Sequence, residues 1–183
     1  EWFTGLTSIN ASNNAIEEFP LDYFASLSIL DISGNKVTTL DLSTTSMTTL
    51  KASGNQLTSV SSIPDKINYI DVSNNKLTEL KCDYKSYLTY LDASNNEIVK
   101  IGVHYSDKLE YLNISNNKIK DNGYDAAFRT WSLKKLKTFI ANNYGSSMTI
   151  NTQQELKNLP VLEHVELQGT DAKYLNVTGS AKT

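Results

Sequence analysis

The chain has 183 residues, 39% of them apolar and 20% charged, and its formal net charge is −3, from 17 basic and 20 acidic side chains. That length suffices for a sizeable core in one or two domains. Arg129 is the single arginine, so the basic stripe and bidentate Arg contacts that a nucleic-acid partner requires are missing. No apolar run approaches the ~20 residues of a membrane span. No basic segment followed by an apolar stretch opens the chain, so neither a transmembrane segment nor a signal peptide is expected within it. The lone Cys82 excludes an internal disulfide framework.

In chain order, one frame dominates. It reads L-x-x-I-x-A-x-x-N-x-I from Leu6 to Ile16 and recurs from Leu27, Met47, Ile67, Leu88 and Leu109. Its asparagine falls at Asn14, Asn35, Asn55, Asn75, Asn96 and Asn117. Apolar residues follow two positions later, at Ile16, Val37, Leu57, Leu77, Ile98 and Ile119. Side chains alternate along a strand, so positions 4 and 6 of the frame, Leu30 and Ile32 for example, point the same way. One coil cannot bury that row; stacking coils about 4.8 Å apart buries it and builds a parallel sheet. The bend that follows has buried backbone groups, and an inward Asn offers them two donors and an acceptor. The asparagines are therefore expected to form a structural ladder with no ligand role.

These segments resemble leucine-rich repeats, with their L-x-x-L-x-L-x-x-N/C-x-L pattern. LDISGNKVTTLDLS, IDVSNNKLTELKC and LDASNNEIVKIGV look like the repeats of bacterial cell-surface proteins, both the internalin-like arrays and the short nested class of Bacteroidetes. The Gly-x-Ile-Pro signature of plant receptors is absent. The expected fold is thus a right-handed solenoid of about eight coils with a parallel sheet on one face. The resemblance implies a secreted or cell-surface location, outside the cell. The return segments TTLDLS, LTELKC and IVKIGV are strand-like, which predicts weak curvature.

One domain over 1–183 is expected, regular over 6–119 and divergent over 120–177, as a possible fragment of a longer protein. After Ile119 the frames lengthen, restarting at Leu136 and Leu162. Tyr124, Ala127, Phe128 and Trp131 have helical spacing. Thr152 and Glu155 form a capping-box pair ahead of Leu156, Leu159 and Pro160. A short convex-side helix is expected in each long repeat, with the ladder weakened at Tyr144 and Thr170. Trp2 and Phe3 are expected to cover the open N-terminal cross-section. Tyr174, Leu175 and Val177 continue an in-out pattern at the other end.

Catalytic chemistry finds little footing. His104 is expected exposed on the convex side and His164 on the concave sheet, so no Ser-His-Asp set can form. The serines at position 7 of the frame, such as Ser73 and Ser94, have no base beside them and suit strand-to-turn hydrogen bonds. Cys82 lies in phase with Leu80 and reads as a small buried hydrophobe. No zinc spacing and no phosphate loop is present. Asp71 and Asp92 lie on adjacent strands about 5 Å apart, a separation shared by retaining glycosidases. Nothing in the sequence signals a pocket around them, and two carboxylates make a poor calcium site. No enzyme activity, cofactor or metal is expected.

One row stands out on the concave sheet face. Position 3 of the frame places Tyr69, Tyr90 and Tyr111 side by side on three strands, flanked by Asp71, Asp92 and Asn113. Tyr combines a rigid apolar ring with a polar tip and is enriched in hot spots, although a tyrosine row also stabilises its own strands. These six residues are the candidate binding site for a protein or glycan ligand of a monomeric, noncatalytic module. The alternatives are a rigid spacer within a longer adhesin, a host-directed effector, and a glycan-active enzyme using Asp71 and Asp92.

Overall fold

The structure, a computed structural model, describes residues 3, 5–119, 132–143 and 159–169. In chain order the strands are β1 (Ser8–Asn10), β2 (Ile29–Asp31), β3 (Thr39–Asp41), β4 (Thr49–Lys51), β5 (Ser59–Ser61), β6 (Tyr69–Asp71), β7 (Glu79–Lys81), β8 (Tyr90–Asp92), β9 (Lys100–Gly102), β10 (Tyr111–Asn113), β11 (Thr138–Ile140) and β12 (His164–Glu166). Eight of them form one parallel sheet, in the order β1-β2-β4-β6-β8-β10-β11-β12. The chain is a β-solenoid with a parallel sheet on one face, as the frame spacing predicts.

Register follows the frame without a slip. Ile9, Leu30, Leu50, Ile70, Leu91, Leu112, Phe139 and Val165 pair strand to strand as a single interior column. From Leu30 to Phe139 this column is almost wholly shielded from solvent. Each such aliphatic side chain contributes about 1.5–3 kcal/mol on burial. The return segments are strands too: β3 pairs with β5, and β7 with β9, bringing Leu40 against Val60 and Leu80 against Ile101. These form two separate two-stranded sheets.

The asparagine ladder closes the first bend of each regular coil after the first. Asn75 shows the pattern: its Oδ1 accepts from the Leu57 N–H of the preceding coil at 2.9 Å. Its Nδ2 donates to the Ala52 carbonyl of that coil at 3.0 Å and to Val72 of its own at 3.1 Å. Asn35, Asn55, Asn96 and Asn117 repeat these bonds. Asn14, expected inward, is exposed, and among the described residues its amide donates to Ala11 and Ser12 of its own coil.

A second rule of the bend sits one residue earlier. Asn13, Gly34, Gly54, Asn74, Asn95, Asn116, Asn143 and Gly169 all have φ between 50° and 67°. Only Asn and Gly occupy this left-handed corner, because a Cβ there meets the following carbonyl and short amides tolerate it best. At Gly34 the missing side chain leaves room for the Asn13 amide, which a Cβ would meet at 2.6 Å.

Three expectations need correction or fall elsewhere. His104 is half-buried rather than exposed: its backbone N–H donates to Asp83 Oδ1 at 2.8 Å, and its ring Nδ1 lies 3.4 Å from the same oxygen. That carboxylate draws the imidazole down onto the turn, and His104 Nε2 is buried with no hydrogen-bond partner among the described residues. Phe3 stacks on Phe24 at 6.0 Å yet stays largely exposed; Trp2 lies outside the described residues. So do the residues that carry the two expected helices, Tyr124, Ala127, Phe128 and Trp131 in 121–135 and Thr152, Glu155 and Leu156 in the next repeat, while 132–135 and 159–160 are described and are not helical. The ladder positions Tyr144 and Thr170, and Tyr174, Leu175 and Val177, also lie outside the described residues.

Candidate functional site

The row at position 3 of the frame occupies the outer face of the eight-stranded sheet. Tyr69, Tyr90 and Tyr111 are direct register partners on β6, β8 and β10. Their rings are stacked: centroids are 4.3 Å apart from Tyr69 to Tyr90 and 4.4 Å from Tyr90 to Tyr111, with interplanar angles of 5° and 4°. Parallel strands set a repeat of about 4.8 Å. Rings on neighbouring strands in one rotamer therefore meet face to face. Both faces of Tyr90 are consumed, as is one face each of Tyr69 and Tyr111. Each ring is half-buried.

Burial pushes all three phenols above the usual tyrosine range, Tyr90 most. The neighbouring carboxylates push the same way, Asp92 acting on all three. The hydroxyls therefore stay protonated and able to donate.

The flanking polar residues are already engaged. Asp92 Oδ1 accepts from the Ser94 N–H at 2.9 Å and from its hydroxyl at 2.6 Å, while Asn113 Nδ2 reaches Asp92 Oδ2 at 3.3 Å. Asp71 takes the same two bonds from Ser73, at 3.0 and 2.8 Å. Asn113 Oδ1 accepts from the Ser115 N–H at 3.1 Å. These are Asx turns that lead each strand into its bend, so the serines have the strand-to-turn role their position suggested. Burial raises Asp92 above the ordinary carboxylate range, against the pull of its Ser94 bonds, and the Asp71 charge adds to the rise. Asp71 keeps Oδ2 clear of hydrogen bonds among the described residues.

No general acid-base set assembles from the other candidates. His164 sits on β12 and bonds Glu166 at 2.8 Å. His104 belongs to a turn behind the sheet, after β9. Cys82 is fully buried, which pushes its thiol up to about 12, so it is not a thiolate nucleophile. Among the described residues, no three His, Cys, Asp or Glu side chains come together to hold a metal. No helix among them is long and apolar enough to cross a membrane.

Sequence reasoning missed a second aromatic cluster behind the sheet. Tyr84 and Tyr105 stack at 4.9 Å with their planes 14° apart, and Lys108 Nζ lies 4.6 Å from the Tyr87 ring centroid. The signal was available as spacing: 84 to 105 and 87 to 108 are both one 21-residue repeat.

The family model described as leucine rich repeat matches residues 105–126. No curated protein matches the chain in sequence. Several solved structures share its fold. The functional domain of InlJ from Listeria monocytogenes superposes with a TM-score of 0.72 at 22% identity, covering 96% of this chain and 42% of that one. That domain includes a cysteine ladder; the ladder here is of asparagine. The Leptospira interrogans LRR protein LIC12759 gives 0.70 at 20% identity, covering 94% of this chain and 45% of that one. An internalin, InlF, from Listeria monocytogenes gives 0.64 at 23% identity, covering 96% and 58%. The chain thus spans about half the length of these structures.

Proposed function

We propose that this chain is a noncatalytic recognition module of a secreted or cell-surface bacterial protein, and that it binds a protein partner through the Tyr69-Tyr90-Tyr111 row. Its regular part, 6–119, carries the row, and 1–183 is read as one domain. The observation that carries the proposal is the stack itself. A half-buried file of three rings, pre-ordered by its own strands, costs little entropy to dock against. Four of the six ring faces are used up against one another and each ring is half-buried, so the row offers a sugar little to stack on, whereas the edges and hydroxyls suit hydrogen-bond acceptors of a protein surface. The free oxygen of Asp71 suits a partner's Lys or Arg, while Asp92 and Asn113 hold the strand ends in place. Location outside the cell rests on the resemblance to bacterial surface repeats. A broad repeat-built sheet is also a common platform for extended protein contacts, and one structure of related fold is the plant peptide hormone receptor RGFR1 in complex with RGF2.

The test is capture from a library of extracellular host and bacterial proteins by the wild type and by the Tyr90→Ala/Tyr111→Ala double variant, together with a glycan array. The wild type is expected to capture a protein that the double variant loses by tenfold or more (about 1.4 kcal/mol or above), with the circular dichroism spectrum near wild type. Equal capture by both removes this row from consideration. Absence of any capture favours the rigid spacer, and a glycan hit that depends on Tyr90 favours a sugar ligand at the sheet.

A further inference from the structure

The turns behind the sheet, 82–89 and 103–110, link the return strands β7 and β9 to β8 and β10. Tyr84 and Tyr105 occupy equivalent positions there and have φ of 61° and 59°. A bulky residue in the left-handed region is an outlier, and such strain marks sites where something other than stability is selected. This molecule has an alternative at hand, because its other left-handed corner uses Asn or Gly in all eight frames. Nor does burial compensate the strain: Tyr84 remains 68% exposed and Tyr105 47% exposed. The turn is nevertheless firmly held. Tyr84 N–H donates to the His104 carbonyl at 2.7 Å, Tyr105 N–H to Ser132 Oγ at 3.1 Å, and Ser106 Oγ to the Cys82 carbonyl at 2.8 Å.

We propose that this corner, formed by Tyr84, Tyr87, Tyr105 and Lys108, is a second binding site, separate from the sheet, whose ligand is an uncharged sugar chain. Ring presentation is what separates it from the sheet row. Tyr84 is backed on one side by Tyr105 and belongs to a pair rather than a file. The turn one coil earlier, 62–66, contains no aromatic residue, so no third ring extends the pair beyond Tyr84. An exposed aromatic face carries the negative part of the ring quadrupole and attracts the weakly positive axial C–H groups of a pyranose. Tyr87 shows that a face of this cluster already takes such a contact, from the Lys108 ammonium.

Charge decides the ligand's class. The corner and the turn before it carry Asp65, Asp83 and Asp107 against Lys66, Lys85 and Lys108, Lys85 pairs with Asp65 at 2.9 Å, and Glu110 at the end of the second turn is paired with Lys137 at 2.7 Å. Formal charge cancels, so neither a polyanion nor a cationic peptide is drawn in, while paired donors and acceptors match a chain of hydroxyls. This site does not depend on the protein-binding row.

The experiment is calorimetric titration with cellohexaose, laminarihexaose, mannohexaose and chitohexaose, and with a heparin hexasaccharide as the charged control. At least one uncharged hexasaccharide is expected to bind the wild type, and Tyr84→Asn should weaken it about tenfold or more, as loss of a stacking face does. The same variant should melt at or above the wild-type temperature, because Asn accepts the left-handed φ that Tyr strains against. Tyr87→Ala, which leaves the strained position alone, should also weaken binding, and Tyr90→Ala/Tyr111→Ala should not. Failure of all four uncharged hexasaccharides to bind, binding of heparin alone, or unchanged affinity in both Tyr84→Asn and Tyr87→Ala overturns the proposal.

Discussion

Two files of like side chains run across the main sheet, asparagines along its buried bend and tyrosines on its outer face, and they differ in reach. From the second to the sixth frame each asparagine makes the same bonds, from Asn35 to Asn117. The tyrosines occupy three adjacent strands, and the same column elsewhere holds Ser8, Ile29, Thr49, Thr138 and His164. A buried carbonyl or N–H must be satisfied in every coil, whatever the protein does. An exposed position carries no such demand, so like residues clustered there are a local choice. Repetition along the whole stack marks the fold, and repetition over part of it marks a surface with its own purpose.

The largest effect should come from the asparagines. Asn75→Ala strands the Leu57 N–H in the interior, while the Ala52 and Val72 carbonyls lose one donor each and keep the Asn55 and Asn96 amides. The stranded N–H costs about 1–3 kcal/mol and each lost bond about 0.5–1.5 kcal/mol, for about 2–5 kcal/mol in all. Asn14→Ala, at an exposed position whose amide bonds its own coil among the described residues, should cost about 0.5 kcal/mol or less. Urea denaturation of the two variants measures the gap. Equal losses would mean that the ladder acts through local turn preference and not through bonds between coils.

The tyrosines should come next, with a gradient across the stack. Tyr90→Ala removes two stacking contacts, worth about 1–3 kcal/mol together, whereas Tyr69→Ala or Tyr111→Ala removes one, at about 0.5–1.5 kcal/mol. Tyr90→Phe keeps both and should leave the urea midpoint near wild type. A flat profile across the three Ala variants would show that the rings are independent neighbours.

Much of this was legible in the spacing alone. A 20- or 21-residue frame fixes which residues meet across coils, so the interior column, the inward Cys82 and the lateral alignment of Tyr69, Tyr90 and Tyr111 follow from counting. Counting does not yield rotamers, and it was the rotamers that turned the rings face to face and covered four of their six faces. Nor does it show where a polar neighbour pulls. His104 is one residue past the inward Val103 and reads as exposed, until Asp83 one coil earlier draws it in. The Asn-or-Gly corner was visible in the triplets around Gly34 and Gly54, yet its extension to Asn143 and Gly169 needed the backbone angles. The Tyr84–Tyr105 pair repeats at the same period as the core, but in a turn where no burial rule asks for an aromatic.

The smallest effect concerns how far Asp92 is part of the scaffold beneath the tyrosines. Burial lifts its folded pKa above the unfolded carboxylate value of about 3.9. Over that interval the native state binds the proton more tightly than the unfolded chain. Its contribution to stability is therefore complete below the unfolded pKa and lost as pH rises through the folded one. Asp65 and Glu97, held low by Lys85 and Lys118, act in the opposite sense, so the wild-type profile alone does not isolate Asp92. Asp92→Asn does. Asn10 and Asn113 already fill this row and accept the same bond from Ser12 and Ser115, so the turn tolerates the amide. The substitution sacrifices the Asn113 contact at every pH, a constant offset, and removes the titration. Stability of Asp92→Asn relative to wild type should accordingly climb between pH 3 and pH 7, by less than the loss seen in Tyr90→Ala. A difference that stays level across that range would mean that Asp92 is as well solvated as a surface carboxylate, and its oxygens would then be free to take a partner's cation.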